Sequence, residues 1–548
     1  MSALDRIRQL WRELYDGEHE DGLEAFIDAL EGFRNEHRLE PLRDQWYKDV
    51  VVYSLYVDAF NQSFEGLIEK LDYLKDLGIT CLWLLPILDS PMKDAGFDIS
   101  DYTSVRADLV ATEDRDPNEV FDQFVQAAHQ RGIAIIFDVA LNHSSIEHEW
   151  FQKSKDDKSS PYRDFYIWSD TDELYKEARI IFKGMMESNW TRYGDQHYFH
   201  RFFDIQPDLN YRNPDLLVAM SMTLLGWLAR GVDGFRADAV PYLWKEAGTN
   251  CENLPKTHTV VKLFRAAVDH VRPGAVLLAE ANQPPREVAR YFGDGDECSA
   301  AYHFPLMPRM YRALAEADRR AITETLSPDF TPSIPPNCQW FTFLRCHDEL
   351  TLEMVSTDER KLIYDHFVSD PLWDFREGEG ISARLAPLLD YDPRQINLLS
   401  AILLTLIGTP IIYYGDEVAM HNDHRHHDQI VAATGYPDSR HLVRGPMDWE
   451  VIEKDLADPT SLAAQVFYPL RGLIADRREH PAFARGSLEF HDVGDDRVLA
   501  FSRTVDQERA DVFANLSDAL LTVEYGDTSL ELEPYGFRWR TVAFIRWP

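Results

Sequence analysis

Residues 118–145 read NEVFDQFVQAAHQRGIAIIFDVALNHSS. The first half carries apolar side chains at helical spacing on one face. The second half, AIIFDVA (134–140), is a short, apolar, β-branched run of the kind that forms a strand buried on both faces. It holds Asp138 near its end and passes directly into Asn142 and His143. An amphipathic helix, a buried strand and then a polar cluster make one unit, and the unit recurs.

Eight apolar runs carry the rhythm: VVYSLYV (51–57), CLWLLPI (81–87), AIIFDVA (134–140), GFRADAV (234–240), VLLAEAN (276–282), AAYHFPL (300–306), WFTFLRC (340–346) and TPIIYYG (409–415). Helical patterns such as GLIEKLDYLKDLG lie between several of them. Strands alternating with helices imply βαβ units and a parallel sheet. Eight units over roughly 400 residues predict an α/β fold closed as a (β/α)8 TIM barrel. A doubly wound sheet is the rival, but the nearest match to its glycine fingerprint, GDGDECS (293–299), is polar, follows no good strand and breaks at Cys298.

The rhythm has two interruptions. A long aromatic insertion follows the third strand, and after the eighth the pattern turns strand-like from about Leu488 (VLAFSRTV, ADVFANLS, LLTVEYGDTSLELEPYGFRWRTV). The expected organisation is a helical extension over 1–45, the barrel over 46–143 and 206–450, and an inserted subdomain over 144–205. Residues 451–548 are expected to form a helix and then an antiparallel, sandwich-like β domain.

The 548 residues hold 56 Lys and Arg against 93 Asp and Glu, a net charge of −37. That balance repels phosphate backbones and anionic membranes, so neither nucleic acid nor a lipid surface is an expected partner. Five scattered cysteines show no zinc spacing, and the N-terminus shows no signal-peptide zones. No apolar run approaches the roughly 20 residues of a membrane span. A cytoplasmic protein with reduced thiols is expected, very soluble or suited to high salt; a homo-oligomer stays open.

In a TIM barrel, functional residues stand at the C-terminal strand ends. There the sequence places Asp138, Asn142 and His143; Arg236 and Asp238; Glu280 and Asn282; Arg345, His347, Asp348 and Glu349; and Asp416 and Glu417. Acids from several strands meeting at one mouth, among many aromatics and without a cofactor motif, suit glycoside cleavage. That reaction needs one protonated carboxylic acid and one carboxylate at the anomeric centre.

DVALNH (138–143), GFRADA (234–239), LLAEAN (277–282) and FLRCHDE (343–349) resemble, in order, the four motifs of the α-amylase superfamily, glycoside hydrolase family 13. QPDLN (206–210) resembles the extra motif of its oligo-1,6-glucosidase-like branch. EKLDYLKDLGITCLWLLPILDSP, PYLWKEAGTNCENLP and YFGDGDECSAAYHFPLMPRM are similar to trehalose synthases, maltose α-D-glucosyltransferases that interconvert maltose and trehalose. The resemblance implies Asp238 as nucleophile, Glu280 as acid/base and Asp348 as the third acid. It implies Asp98, Phe97, His143, Arg236, His347 and Arg444 as substrate contacts, and a small α-glucoside such as maltose or trehalose as substrate. Arg236 stands two residues from Asp238, on the same strand face, and is expected to pair with it. Glu280 lies in an apolar strand, where desolvation favours its protonated form. Segments 246–258 and 349–395 are expected to act as lids that exclude water.

No cofactor is implied for the chemistry. The resemblance implies a structural calcium on Asn142, Asp208 and the carbonyls of Tyr242 and Leu243, but Lys245 stands where those enzymes carry a metal-binding Glu. Cys346 stands where they carry Asn; a continuing strand would point its thiol away from His347. The histidines at 421, 424, 426 and 427 fit no established ligand spacing and read as an irregular, solvated loop, whose DSRHLVRGPMDW resembles sucrose-active members. The alternative activity is hydrolysis of α-1,4-linked or related small α-glucosides. The three retained acids and the lack of an apolar run long enough to span argue against a non-catalytic transporter subunit.

Overall fold

The computed structural model describes residues 2–543 apart from 113 and 527. Eight parallel strands close a barrel: β1 (Val52–Leu55), β2 (Cys81–Leu84), β3 (Ala134–Ala140), β4 (Gly234–Asp238), β5 (Val276–Ala279), β6 (Ala300–Tyr302), β7 (Gln339–Phe343) and β8 (Thr409–Tyr413). Each strand pairs with its chain-order neighbours, and β8 returns to β1 with Val52 opposite Ile411. The strands are the eight apolar runs, several trimmed at their C-terminal ends. Nearly every residue in them is buried, as a parallel sheet covered on both faces requires. At the start of β4 a side chain at Gly234 would place Cβ 2.5 Å from the Val276 carbonyl oxygen, so only glycine lets β4 and β5 approach.

Helices α1 (Ala3–Leu14) and α2 (Glu20–His37) precede the barrel and bury Ile7, Leu10, Trp11, Leu14, Phe26 and Leu30 against it. The segment after β3 forms a helix, Glu149–Asp156, and a three-stranded sheet of Trp168–Ser169, Gln196–Phe199 and Trp190–Tyr193. Aromatic contacts hold it together, Phe151 stacking on Trp168 at 5.6 Å. Cys251, from the loop after β4, packs into the same cluster with Ile167, Trp190 and Phe199.

Beyond the barrel come a helix, Leu462–Glu479, and strands β9 (Ser487–His491), β10 (Val498–Val505), β11 (Glu508–Asn515), β12 (Leu521–Tyr525), β13 (Thr528–Leu532) and β14 (Phe537–Ala543). Strands β9, β10, β11 and β14 form one antiparallel sheet and β12–β13 a second; the two share a core of Val498, Ala500, Phe513, Leu521, Val523 and Leu532.

Two buried arginines fasten this region to the barrel. Arg477 donates to the carbonyls of Leu404 and Gly408 at 2.6 and 2.8 Å, and Arg503 to those of Thr405, Phe483 and Gly486 at 2.7, 2.9 and 2.8 Å. Replacing Arg503 with Met strands those carbonyls. Urea unfolding should show a loss of about 3 kcal/mol or more, at 1.5–3 kcal/mol per charged hydrogen bond.

Candidate active site

The C-terminal strand ends frame a small cavity of about 130 Å³. Its lining includes Phe97, His143, Arg236, Asp238, Glu280 and Asp348, drawn from the loops or ends of five strands. Arg236 organises the floor. Its Nη1 donates to Asp238 Oδ1 at 2.5 Å and to Asp138 Oδ1 at 2.8 Å, and its Nη2 lies 3.9 Å from Glu280 Oε1. Asp138 also accepts from Trp83 Nε1 at 3.1 Å; burial, reinforced by Asp238, pushes its carboxyl up to about 7 against the pull of Arg236.

Glu280 follows β5 and accepts from the Ala239 amide at 3.0 Å. Ala239 reaches that position with φ of 55°, in the left-handed region that turns the chain sharply after β4. Burial raises the Glu280 carboxyl to about 7, opposed by Arg236 and helped by Asp238, while 22% of its side chain opens to the cavity. The expected desolvation is present.

Asp348 is held by two guanidinium groups, Arg440 Nη1 and Arg444 Nη2, each 3.1 Å from Oδ1. Burial opposes ionisation, but the charges of Arg440 and Arg444 keep the carboxyl well below its usual range. His347 is buried, with Phe97 stacked on it at 5.5 Å and the Trp83 edge at 5.6 Å. Desolvation pushes its imidazole down to about 3, so it is neutral. His143 lines the cavity and is likewise pushed down by burial. Arg444 does not line the cavity; it sits behind Asp348 and donates to the His347 carbonyl at 2.9 Å.

The structure places several of the expected residues away from the cavity lining and brings others to it. Asp98 does not line the cavity. It is fully buried and accepts from Ser90 Oγ and the amides of Lys93 and Asp94 at 3.0, 3.0 and 3.1 Å, three bonds that brace the loop. Asp94, four residues earlier, reaches the cavity, 3.8 Å from Arg440. Burial pushes it up to about 6. Glu349 also lines the cavity, its carboxyl raised to about 7 by burial and Asp348. Arg345 braces the chain, donating to the carbonyl oxygens of Ala383 and Asp348 at 2.5 and 2.8 Å. Asp416 and Glu417 stay outside the cavity; Glu417 accepts from Tyr53 and Tyr73 at 2.7 and 2.9 Å. Strand β7 stops at Phe343, so alternation does not govern residues 346–348, and the Cys346 thiol lies beside His347. The histidine-rich loop contains a helix, His424–Thr434.

Ion pairs border the cavity above the acids' strand ends. Arg179 of the insertion lies 2.9 Å from Glu252 and 2.8 Å from Glu353, joining it to both expected lid segments. Asn282 Nδ2 donates to Glu353 at 3.0 Å, and Arg376 pairs with Glu379 at 2.8 Å. Arg179, Arg440, Glu353 and Arg376 escaped the sequence reading because they belong to loops with no periodic signal. The one local hint was the four-residue spacing of Arg440 and Arg444, which lets both reach Asp348.

The calcium ligand set does not fit a metal ion. Lys245 Nζ stands among its donors, 2.8 Å from Asn142 Oδ1, 2.8 Å from Asp208 Oδ2 and 3.3 Å from the Leu209 carbonyl. Tyr242 turns its ring to the cavity and Leu243 is buried in the core. The ammonium supplies the positive charge that Asp208 needs.

A closed (β/α)8 barrel with Asp238, Glu280 and Asp348 gathered at its C-terminal mouth defines a glycoside-active enzyme. Residues 56–369 match the family model described as alpha amylase, catalytic domain, and the chain belongs to the α-amylase family. It is 43% identical over 526 residues to a trehalose synthase/amylase of Mycolicibacterium smegmatis, covering 89% of this chain and 85% of that one. A trehalose synthase of Pimelobacter is 41% identical, covering 85% and 86% of the two chains. A solved trehalulose synthase mutant in complex with Tris superposes with a TM-score of 0.72 at 26% identity, covering 91% of this chain and all of that one.

Chelation with EDTA should leave the thermal midpoint unchanged. Lys245→Met should cost about 3–5 kcal/mol in urea unfolding, because Asp208 is left as a buried, unpaired charge.

Proposed function

We propose that this protein interconverts maltose and trehalose by intramolecular glucosyl transfer. The observation that carries the reading is the shared site: Arg236, Asp238, Glu280 and Asp348 line one cavity bordered by the Arg179–Glu353 pair, whose closure would keep a freed sugar and exclude water. The 43% identity with a trehalose synthase over most of both chains supports it.

Asp238 attacks the anomeric carbon while Glu280 gives its proton to the leaving oxygen. The glycosidic C–O bond breaks as the glucosyl–Asp ester forms. Asp348, fixed by Arg440 and Arg444, grips hydroxyls of the bound ring, and neutral His143 and His347 exchange hydrogen bonds near it. Glucose then turns in the closed cavity and attacks through its own anomeric hydroxyl, whose proton returns to Glu280. Two inversions retain the α-configuration. We place the enzyme in the cytoplasm, which suits five cysteines that are all free. Among the described residues no helix is long and apolar enough to cross a membrane.

Incubation with maltose should yield trehalose, resolved from glucose by chromatography; glucose alone would establish hydrolysis instead. Asp238→Ala should lower turnover by at least about 10⁴-fold, on the scale of lost nucleophiles in other covalent enzymes. Glu280 must be protonated to act first, so kcat/KM should hold below and fall above about pH 7. Glu353→Ala, which removes that ion pair, should raise the share of free glucose among the products while leaving the three acids in place.

A further inference from the structure

Cys346 has no part in the chemistry above, yet it lies at the barrel mouth. Its sulfur, a ring nitrogen of His347 and a carboxylate oxygen of Asp348 all stand within 4.8 Å of one another. His347 is 2% exposed, and neither of its ring nitrogens has a hydrogen-bond partner. Its Nε2 faces Asp348 Oδ2 at 3.2 Å without hydrogen-bond geometry, so the imidazole is free to serve a ligand.

We propose that Cys346, His347 and Asp348 form a binding site for a borderline-soft divalent cation such as Zn2+, and that its occupancy shuts the sugar site. The donors are one sulfur, one nitrogen and one oxygen, a set that favours zinc over calcium or magnesium. Tetrahedral bonds of about 2.0–2.3 Å place donors roughly 3.3–3.7 Å apart, so movements of about 1 Å among three adjacent residues complete the site. His347 Nε2 is already 3.2 Å from Asp348 Oδ2. The other oxygen, Oδ1, stays with Arg440 and Arg444, so the ion takes Oδ2 without breaking those pairs. Binding exchanges the thiol proton for the metal and releases that proton to solvent; no electron moves. The fourth position is left to water or a sugar hydroxyl.

The inhibitory consequence rests on the proposed role of Asp348; the site itself does not. Two measurements keep them apart. Co2+ added to the intact protein should develop the near-ultraviolet thiolate-to-metal band, and Cys346→Asn should abolish it. Zn2+ should inhibit trehalose formation, and Cys346→Asn, or Cys346→Ser should the first fold poorly, should stay active while the half-inhibitory Zn2+ concentration rises roughly 100-fold or more. Loss of a supporting partner alone costs about 10–100-fold in metal affinity. A missing band, or one unchanged in the variant, overturns the site. Equal zinc sensitivity of both proteins overturns the link to inhibition. A Cys346-dependent band in a protein inactive on maltose would uphold the site and sink the proposed function.

Discussion

Arg236 stands at the floor of the barrel mouth with Asp138 and Asp238 on one nitrogen and Glu280 near the other. Three carboxyl groups this close together, and this far from bulk water, would otherwise repel one another and lose their charge. The guanidinium offsets part of that cost and, being planar, fixes the directions from which its partners approach. The burial that makes the arrangement expensive also separates the roles of the acids. Glu280 is pushed up to about 7, while Asp348, with two arginines of its own, is driven the other way. Widely split acids on one site are what a proton donor and an anionic hydroxyl-gripper require.

A second constraint acts from above. The insertion, the loop after β4 and the segment after β7 share the Arg179, Glu252 and Glu353 contacts. Ion pairs between loops can part and re-form, as entry of a substrate requires. Arg179 is 39% exposed, so each pair is weak alone, and closure depends on several acting together. Lys245 contributes differently. It puts an ammonium where relatives are expected to place a metal ligand, so the junction between the insertion and the barrel is fixed by the chain itself.

Much of this was legible in the sequence because burial on both faces leaves a strong mark. All eight barrel strands stood out as apolar runs, and the strand-end rule brought Asp238, Glu280 and Asp348 to one mouth. The misplacements share a cause. Asp98 and Asp94 lie in one irregular loop, where nothing periodic says which carboxylate faces the cavity and which ties the turn. Cys346 and His347 were expected on opposite faces by alternation, a rule that holds only while the strand lasts, and β7 stops at Phe343.

The sequence by itself determined the barrel and the order of its motifs, which follow from hydrophobic period and spacing along the chain, while the roles of the three acids came from the resemblance of those motifs to a known family. The tertiary structure decided which of two neighbouring aspartates lines the pocket, which arginines hold Asp348, which ion pairs border the cavity, and that the thiol at 346 sits beside an imidazole. Those facts depend on contacts between segments far apart in the chain. Local spacing does not encode such contacts; packing and charge pairing choose them once the barrel has closed.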